Sequence, residues 1–133
     1  MLLVETYIDN SAGKGMGLFA KQYISKGEKY WMRNELFDKV ITEIYLSYLP
    51  NLAVQFIKKY GFMEITTDWY LCGDNAKYSN HSDLSNTNYH FDKDGLIEFY
   101  TALKDIAIGE EIFCDYRKIC STCAKGIDFL PIL

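Results

Sequence analysis

The sequence predicts a β-rich α+β fold, on three observations. Short strand-like runs recur at turn-rich intervals along most of the chain, one stretch alone carries helical spacing, and strands and helices do not alternate as they do in parallel-sheet folds. A chain of 133 residues is near the usual size of one domain and long enough to bury one core. Residues 1–133 are therefore expected to form a single domain, with its core within about 6–116 and a tail at 117–133.

Taken in order, Leu2 to Ile8 reads as a first strand, and Asn10 to Gly17 is a Gly/Ser/Asn turn region leading into a second at Leu18 to Lys21. Ser25-Lys26-Gly27 marks another turn, and Glu28 to Arg33, which contains Tyr30 and Trp31, reads as a third strand. From Asp38 the period lengthens: Val40, Ile44 and Leu46 to Leu49 precede Pro50, and Leu52, Phe56, Ile57 and Tyr60 follow at spacings of three and four. The spacing predicts one helix ending near Leu49 and a second over Asn51 to Tyr60. Pro50 divides them, Asn51 is a plausible cap and Gly61 a stop. Phe62 to Thr66 and Trp69 to Cys72 are strand candidates. Asn88 to Asp92 and Leu96 to Lys104 form a hairpin around Asp92-Lys93-Asp94-Gly95, with Ile97, Phe99, Thr101 and Leu103 on one face of the second arm. Ile112 to Asp115 is a last short strand, after which the pattern fades, and no internal repeat or low-complexity stretch is present.

Hydrophobic residues make up 49% of the chain and aromatics 16%, eleven of them Tyr, which excludes a disordered chain and suggests a tyrosine-rich surface or pocket. A formal charge of −4 argues against sequence-independent nucleic-acid binding, which needs a basic surface to neutralise phosphates. A basic protein substrate suits that balance better. No apolar run reaches the length of a membrane span, and no basic segment leads into an apolar stretch with a small-residue cleavage site, so a soluble, intracellular protein is expected, without membrane or nucleic-acid partners. Cys72, Cys114, Cys120 and Cys123 are unevenly spread and do not resemble a secreted disulfide framework.

The densest chemistry lies between Tyr78 and Tyr89. Asn80-His81-Ser82 sets an amide, an imidazole and a hydroxyl in consecutive positions, groups that must find partners if buried and that suit recognition of a polar heterocycle. Alone, the cluster equally suits a turn, since Asn, Ser and Asp favour turns for backbone reasons. It does not stand alone: upstream lies Lys14-Gly15-Met16-Gly17-Leu18-Phe19-Ala20 and downstream Gly109-Glu110-Glu111-Ile112-Phe113-Cys114-Asp115-Tyr116. In order and spacing these three motifs, with Asn86 four residues after Ser82, resemble those of the SET-domain protein lysine methyltransferases, over about Thr6 to Tyr116. The likeness is greatest to the minimal bacterial or viral members.

That resemblance implies a fold of small twisted sheets with a short helical insertion and a knot-like crossing, in which the segment near Tyr116 passes beneath a loop close to Asn80. It also implies transfer of a methyl group from S-adenosylmethionine, leaving S-adenosylhomocysteine, to a lysine amine of a protein. Such an amine must be neutral to attack, which costs roughly 4 to 5 kcal/mol at pH 7 for a side chain that titrates near 10.4. An apolar channel and the neighbouring sulfonium both lower that pKa, which makes desolvation and placement the main tasks. Tyr116 occupies the catalytic tyrosine position; a phenol is a poor base at pH 7, so its expected task is to orient the amine and the methyl group. Lys14, Gly15, Met16 and Gly17 match a loop whose backbone meets the cofactor's methionine carboxylate, Asn80 and His81 match residues holding its amino group and adenine, and Phe129 is a candidate for packing on the adenine. Tyr89 and Tyr78 are expected to line the lysine channel, with Tyr100 and Tyr70 as weaker candidates. Ser82 and Asn86 are expected to stabilise the loop crossing, His90 to be structural or exposed, and Glu110-Glu111 to be surface or loop-anchoring charges, since strand neighbours point to opposite faces and would not share a proton.

The match breaks in two places. Relatives carry Cys where this chain has Asp83, and a cysteine-rich zinc tail; here Cys114, Cys120 and Cys123 offer three thiols where a closed structural site takes four, so no metal is expected. Ser85 replaces the usual proline before Asn86. If the tail does not reach the site, a second copy of the chain is the expected source of closure. Two readings other than an enzyme stay open: an inactive module of the same fold that binds a peptide or partner, and a small thiol or zinc interaction domain.

Overall fold

The computed structural model describes residues 1–64, 67–92, 94 and 97–118. Ten short strands and two helices make up its regular structure among these residues, arranged as four small sheets. Strands β1 (Thr6–Ser11) and β2 (Gly15–Ala20) form an antiparallel hairpin, with Ser11 opposite Gly15 and Thr6 opposite Ala20. Strands β3 (Lys29–Met32), β8 (Thr87–Asp92) and β9 (Ile97–Ala102) form a three-stranded sheet with β9 in the centre. A second three-stranded sheet has β6 (Trp69–Leu71) between β4 (Lys39–Ile41) and β5 (Phe62–Met63). The fourth is a parallel pair, β7 (Asn80–His81) with β10 (Phe113–Cys114), placing Phe113 opposite Asn80 and Cys114 opposite His81.

Most of the buried hydrophobic residues form one cluster fed by every sheet: Leu18 and Ala20 from β2, Tyr30 and Trp31 from β3, Tyr70 from β6, Tyr100 and Ala102 from β9, Cys114 from β10, and Ile24, Cys72, Ile106 and Ile112 from connecting segments. Tyr100 and Ala102 are the inward face of β9. The face carrying Ile97, Phe99 and Thr101 looks outward instead, where Phe99 stacks on His90 at 4.9 Å and Lys29 Nζ lies 4.3 Å from its ring. Tyr100 wins the interior because Trp31 and Tyr89 flank it edge-on, each at 5.5 Å, an arrangement favoured by aromatic quadrupoles.

The predicted helix before Pro50 is corrected. Val40 and Ile41 belong to β4, paired with Tyr70 and Trp69, and the helix α1 is only Glu43–Ser47, begun by Thr42, whose hydroxyl accepts from the Tyr45 N–H at 3.3 Å. Two adjacent β-branched residues fit a pleated edge better than a helix turn. Helix α2 (Asn51–Tyr60) has the predicted span, but Pro50, not Asn51, holds the N-cap position, without a side-chain cap. Gly61 ends it through close approach: a Cβ there would lie 2.7 Å from the Ile57 carbonyl and 3.0 Å from that of Tyr70.

Two buried polar side chains fix the frame. Asp38, 3% exposed, accepts from the Gly73 N–H at 2.8 Å, from the Tyr70 hydroxyl and from the amino group of Met1, tying the N-terminus to the β4–β6 sheet. Asn86, 5% exposed, donates to the Glu111 carbonyl at 2.8 Å and accepts from the Phe113 N–H at 2.9 Å. Ser85 and Thr87 add hydroxyl donors to the Phe113 carbonyl, at 2.8 and 2.7 Å, and Cys114 accepts from the Ser82 N–H at 3.0 Å. The segment 79–87 thus bonds to residues 111–114 along much of β10 and brings the stretch before Tyr116 against the loop near Asn80. Asn86→Ala strands a buried N–H and a carbonyl at once and is expected to lower stability by about 1 to 2 kcal/mol, measured as a shift in the urea midpoint at constant slope.

Candidate active site

The three motifs singled out in the sequence meet in space. The β1–β2 turn closes with the Lys14 N–H bonded to the Ser11 carbonyl at 2.9 Å, using positive φ at Gly13 (73°) and Gly15 (77°), where L side chains are strained. Asn80 then donates its amide to the Met16 carbonyl at 2.9 Å, and Lys14 Nζ reaches the His81 carbonyl at 2.5 Å while lying 4.9 Å from the Phe113 ring. Residues 64 and 67 positions apart in the chain are in direct contact.

Gly15 and Gly17 answer to different constraints. Nothing lies within 4 Å of a Cβ built on Gly15, so the loop there presents an open cradle. A Cβ on Gly17 would fall 2.1 Å from Glu111 Oε1 and 3.0 Å from the Ser11 Cβ. Glu111 leans across the base of the loop, accepting from the Ser11 hydroxyl at 3.0 Å through Oε2, and its Oε1 is buried against Gly17 without a hydrogen-bond partner. Its expected role as a loop anchor is thereby realised. Glu110 points elsewhere, accepting from the Ala107 N–H at 3.2 Å.

Tyr116 opens a short 3₁₀ turn, Tyr116–Lys118, directly after β10. Its backbone N–H donates to His81 Nδ1 at 3.1 Å, its ring centre is 5.5 Å from that of His81, and its hydroxyl donates to the Ser79 carbonyl. Because Nδ1 accepts, the N–H of the neutral His81 ring sits on Nε2, where it meets Asp83 Oδ1 at 2.9 Å. Asp115 is held below the ordinary carboxylate range by the hydrogen bond from Arg117.

A cavity of about 250 Å³ opens beside Tyr116. Its wall is mainly aromatic, from Tyr30, Trp31, Tyr60, Phe62, Trp69, Tyr100 and Tyr116, with Ser79, Cys72 and Cys114 as its small polar groups; Leu18, Gly61 and Ala76 with Lys58, Lys59 and Lys77 complete it, and no carboxylate residue lines it among those described. Burial pushes the phenols of Tyr30 and Tyr100 well above their ordinary values and the thiol of Cys72 up to about 12. Burial raises Cys114 as well, against hydrogen bonds from Ser79, Tyr30 and Thr87 that pull the other way. The same burial penalises any charged form placed against these two thiols. Both thiols stay protonated at neutral pH, and each is expected to alkylate about 10²-fold or more slowly than an exposed cysteine in the native protein, read by mass spectrometry of labelled peptides before and after unfolding.

Of the predicted channel tyrosines, Tyr100 lines the cavity. Tyr89 packs edge-on against Tyr100 at 5.5 Å, one layer behind the wall, where burial raises its phenol. Tyr78 stands T-shaped on Tyr60 at 5.2 Å, beside the cavity. Tyr70 is wholly buried, stacked on Phe62 at 5.2 Å. Trp31, Tyr60, Phe62 and Trp69 were not singled out in the sequence; only strand pairing brings Phe62 and Trp69 onto adjoining strands at the helix exit. His90 is structural, its Nε2 2.8 Å from the Thr101 hydroxyl. Phe129, Cys120 and Cys123 lie outside the described residues. Among the described residues Cys72 and Cys114 are free, and no group of three or more His, Cys, Asp or Glu side chains is arranged to hold a metal. No described helix is long and apolar enough to cross a membrane.

Comparison with known proteins places this geometry. The family model for the SET domain matches residues 15–117. A crystal structure from Plasmodium falciparum, provisionally named a histone methyltransferase, superposes with a TM-score of 0.58 at 22% identity, over 86% of this chain and 95% of that one. Polycomb Repressive Complex 2 from Chaetomium thermophilum bound to the inhibitor GSK126 superposes at 0.66 with 20% identity, over 93% of this chain but 17% of that one. The same complex in an autoinhibited conformation bound to S-adenosylmethionine gives 0.60 at 22% identity, over 90% and 16%. Likeness at these identities is likeness of fold. A search of curated proteins gave no match.

Proposed function

The chain belongs to the SET-domain family, and from that premise we propose that it is an S-adenosylmethionine-dependent methyltransferase acting on a lysine side chain of a protein substrate. One observation carries the reading: Tyr116 lines an aromatic cavity while its backbone is bonded to His81, which with Asn80 grips the glycine loop.

The residues present fit the cofactor. The open cradle at Gly15 leaves room for a carboxylate to meet the backbone of Lys14 to Gly17, and Asn80 and His81 flank it. Phe129 is the proposed cover for the adenine. S-adenosylmethionine supplies a methyl group made electrophilic by its sulfonium. The remaining work falls to the chain. Trp31, Tyr60, Phe62 and Trp69 exclude water from the lysine stem, and the charge-penalising wall offsets part of the roughly 4 to 5 kcal/mol needed to present a free amine. Tyr116 donates its proton to the Ser79 carbonyl, and its oxygen is assigned the task of accepting an N–H from the amine and holding it in line.

Labelled S-adenosylmethionine incubated with the protein and host lysate is expected to yield labelled protein bands bearing methyl-lysine, and calorimetry is expected to show cofactor binding. Binding without any labelling would favour the inactive peptide-binding module; absence of both would reject the reading.

A further inference from the structure

The net charge of the chain suggests a basic substrate, but the cavity mouth carries the opposite sign. Lys58 and Lys59, exposed in the last turn of α2, and Lys77, from the 3₁₀ turn Asn75–Tyr78, all contribute to its lining. Cations at a helix C-terminus also complement the free carbonyls there. That accounts for two of them and not for Lys77, which arrives from a separate element. The carboxylates nearest in the chain are engaged elsewhere: Asp74 accepts from the Leu2 N–H at 2.7 Å and the Ala76 N–H at 3.1 Å, and Glu64 pairs with Arg33.

Two of the cations also lie against aromatic rings. Phe56, Tyr60 and Tyr78 form a ladder with ring centres 4.9 and 5.2 Å apart, Lys59 Nζ lies 5.2 Å from the Tyr60 ring, and Lys77 Nζ lies 5.5 Å from that of Tyr78. Phe56 is 43% exposed, so the ladder extends outward from the mouth along α2 as a surface a peptide backbone can lie on.

We infer that the substrate of this site is an acidic segment, a lysine flanked within a few residues by Asp or Glu, read by Lys58, Lys59 and Lys77 on the Phe56–Tyr60–Tyr78 ladder. This rests on the lysine-methyltransferase reading above. Complementary charge around the mouth raises encounter rate and rejects like-charged sequences more than it adds affinity, so its signature is selectivity.

The test uses the full chain with labelled S-adenosylmethionine and a peptide library having a fixed central lysine and randomised flanks. Asp and Glu are expected to be enriched at least about fivefold over Lys and Arg among methylated peptides, with the preference falling as salt is raised from 0.05 to 0.5 M, as screening of exposed charges requires. The Lys58→Glu/Lys59→Glu/Lys77→Glu variant, with Lys58→Gln/Lys59→Gln as a milder second, is expected to lose or invert the preference while its calorimetric affinity for S-adenosylmethionine stays within about twofold. Methylation without acidic enrichment overturns the inference and leaves the enzyme reading standing. So does a variant that keeps the preference but loses cofactor affinity, which would assign the cations to the cofactor's own carboxylate. No methyl-lysine in any peptide or lysate band would bring down the enzyme reading and this inference with it.

Discussion

Tyr116→Phe is expected to lower the methyl-transfer rate about 10²-fold or more, with the fold intact and the cofactor still bound. The substitution keeps the ring against His81 and the backbone bond to Nδ1, and removes one oxygen. With it goes the only group proposed to accept from the amine beside the cavity wall, and misplacement of a nucleophile by about 1 Å is enough for a loss of that order. The Ser79 carbonyl loses its donor, a cost of about 1 kcal/mol, so the melting temperature should fall by only a few degrees. Single-turnover measurement separates the effects: a rate constant for transfer equal to wild type would end the assignment of Tyr116, whatever happened to substrate affinity.

The second large effect is expected at Gly17. Gly17→Ala forces a methyl group into a space where Glu111 Oε1 would be 2.1 Å away and the Ser11 Cβ 3.0 Å. A free carboxylate tip would swing aside, but this one is bonded to the Ser11 hydroxyl and buried over the loop. The cost should sit near the upper end of overpacking, about 3 kcal/mol. Because the collision lifts the loop that Asn80 grips at Met16, cofactor affinity should fall at least about tenfold as well. The collision makes a distinctive forecast for the double variant with Glu111→Ala: it should be more stable than the sum of the single changes by about 1 kcal/mol or more. Strict additivity in urea titrations would show that Gly17 is needed for some other reason, such as its backbone conformation.

Much of the fold class was legible because it rests on local signals. Turn residues at Ser25 to Gly27, the Pro50 break and the three-and-four spacing through Tyr60 correspond to observed boundaries within a residue or two, whereas the turn expected over Asn10 to Gly17 shrinks to residues 12–14 because β1 runs on to Ser11 and β2 begins at Gly15. The misreading of the helix before Pro50 has a plain cause. Lys39–Ile41, like Asn80–His81, is a strand of only three or two residues, too short for a period of 2 to be told from one of 3.6. Their pairing with β6 and β10, not their composition, makes them strands. On β9, either face could have been buried from its pattern; Trp31 and Tyr89 on the flanking strands chose Tyr100.

By itself, the sequence determined the chemistry that can occur: a glycine turn, an asparagine and histidine with paired hydrogen-bonding needs, and a tyrosine placed after a strand that must thread back to them. Tertiary structure alone decided which aromatic rings enclose the cavity, that Glu111 crowds the space beside Gly17, and that lysines from two unrelated elements rim the mouth. The reason is physical. A side chain's identity and its alternation along a strand are local, whereas burial, collision and field depend on neighbours brought together across dozens of residues, and no local pattern encodes which neighbours those will be.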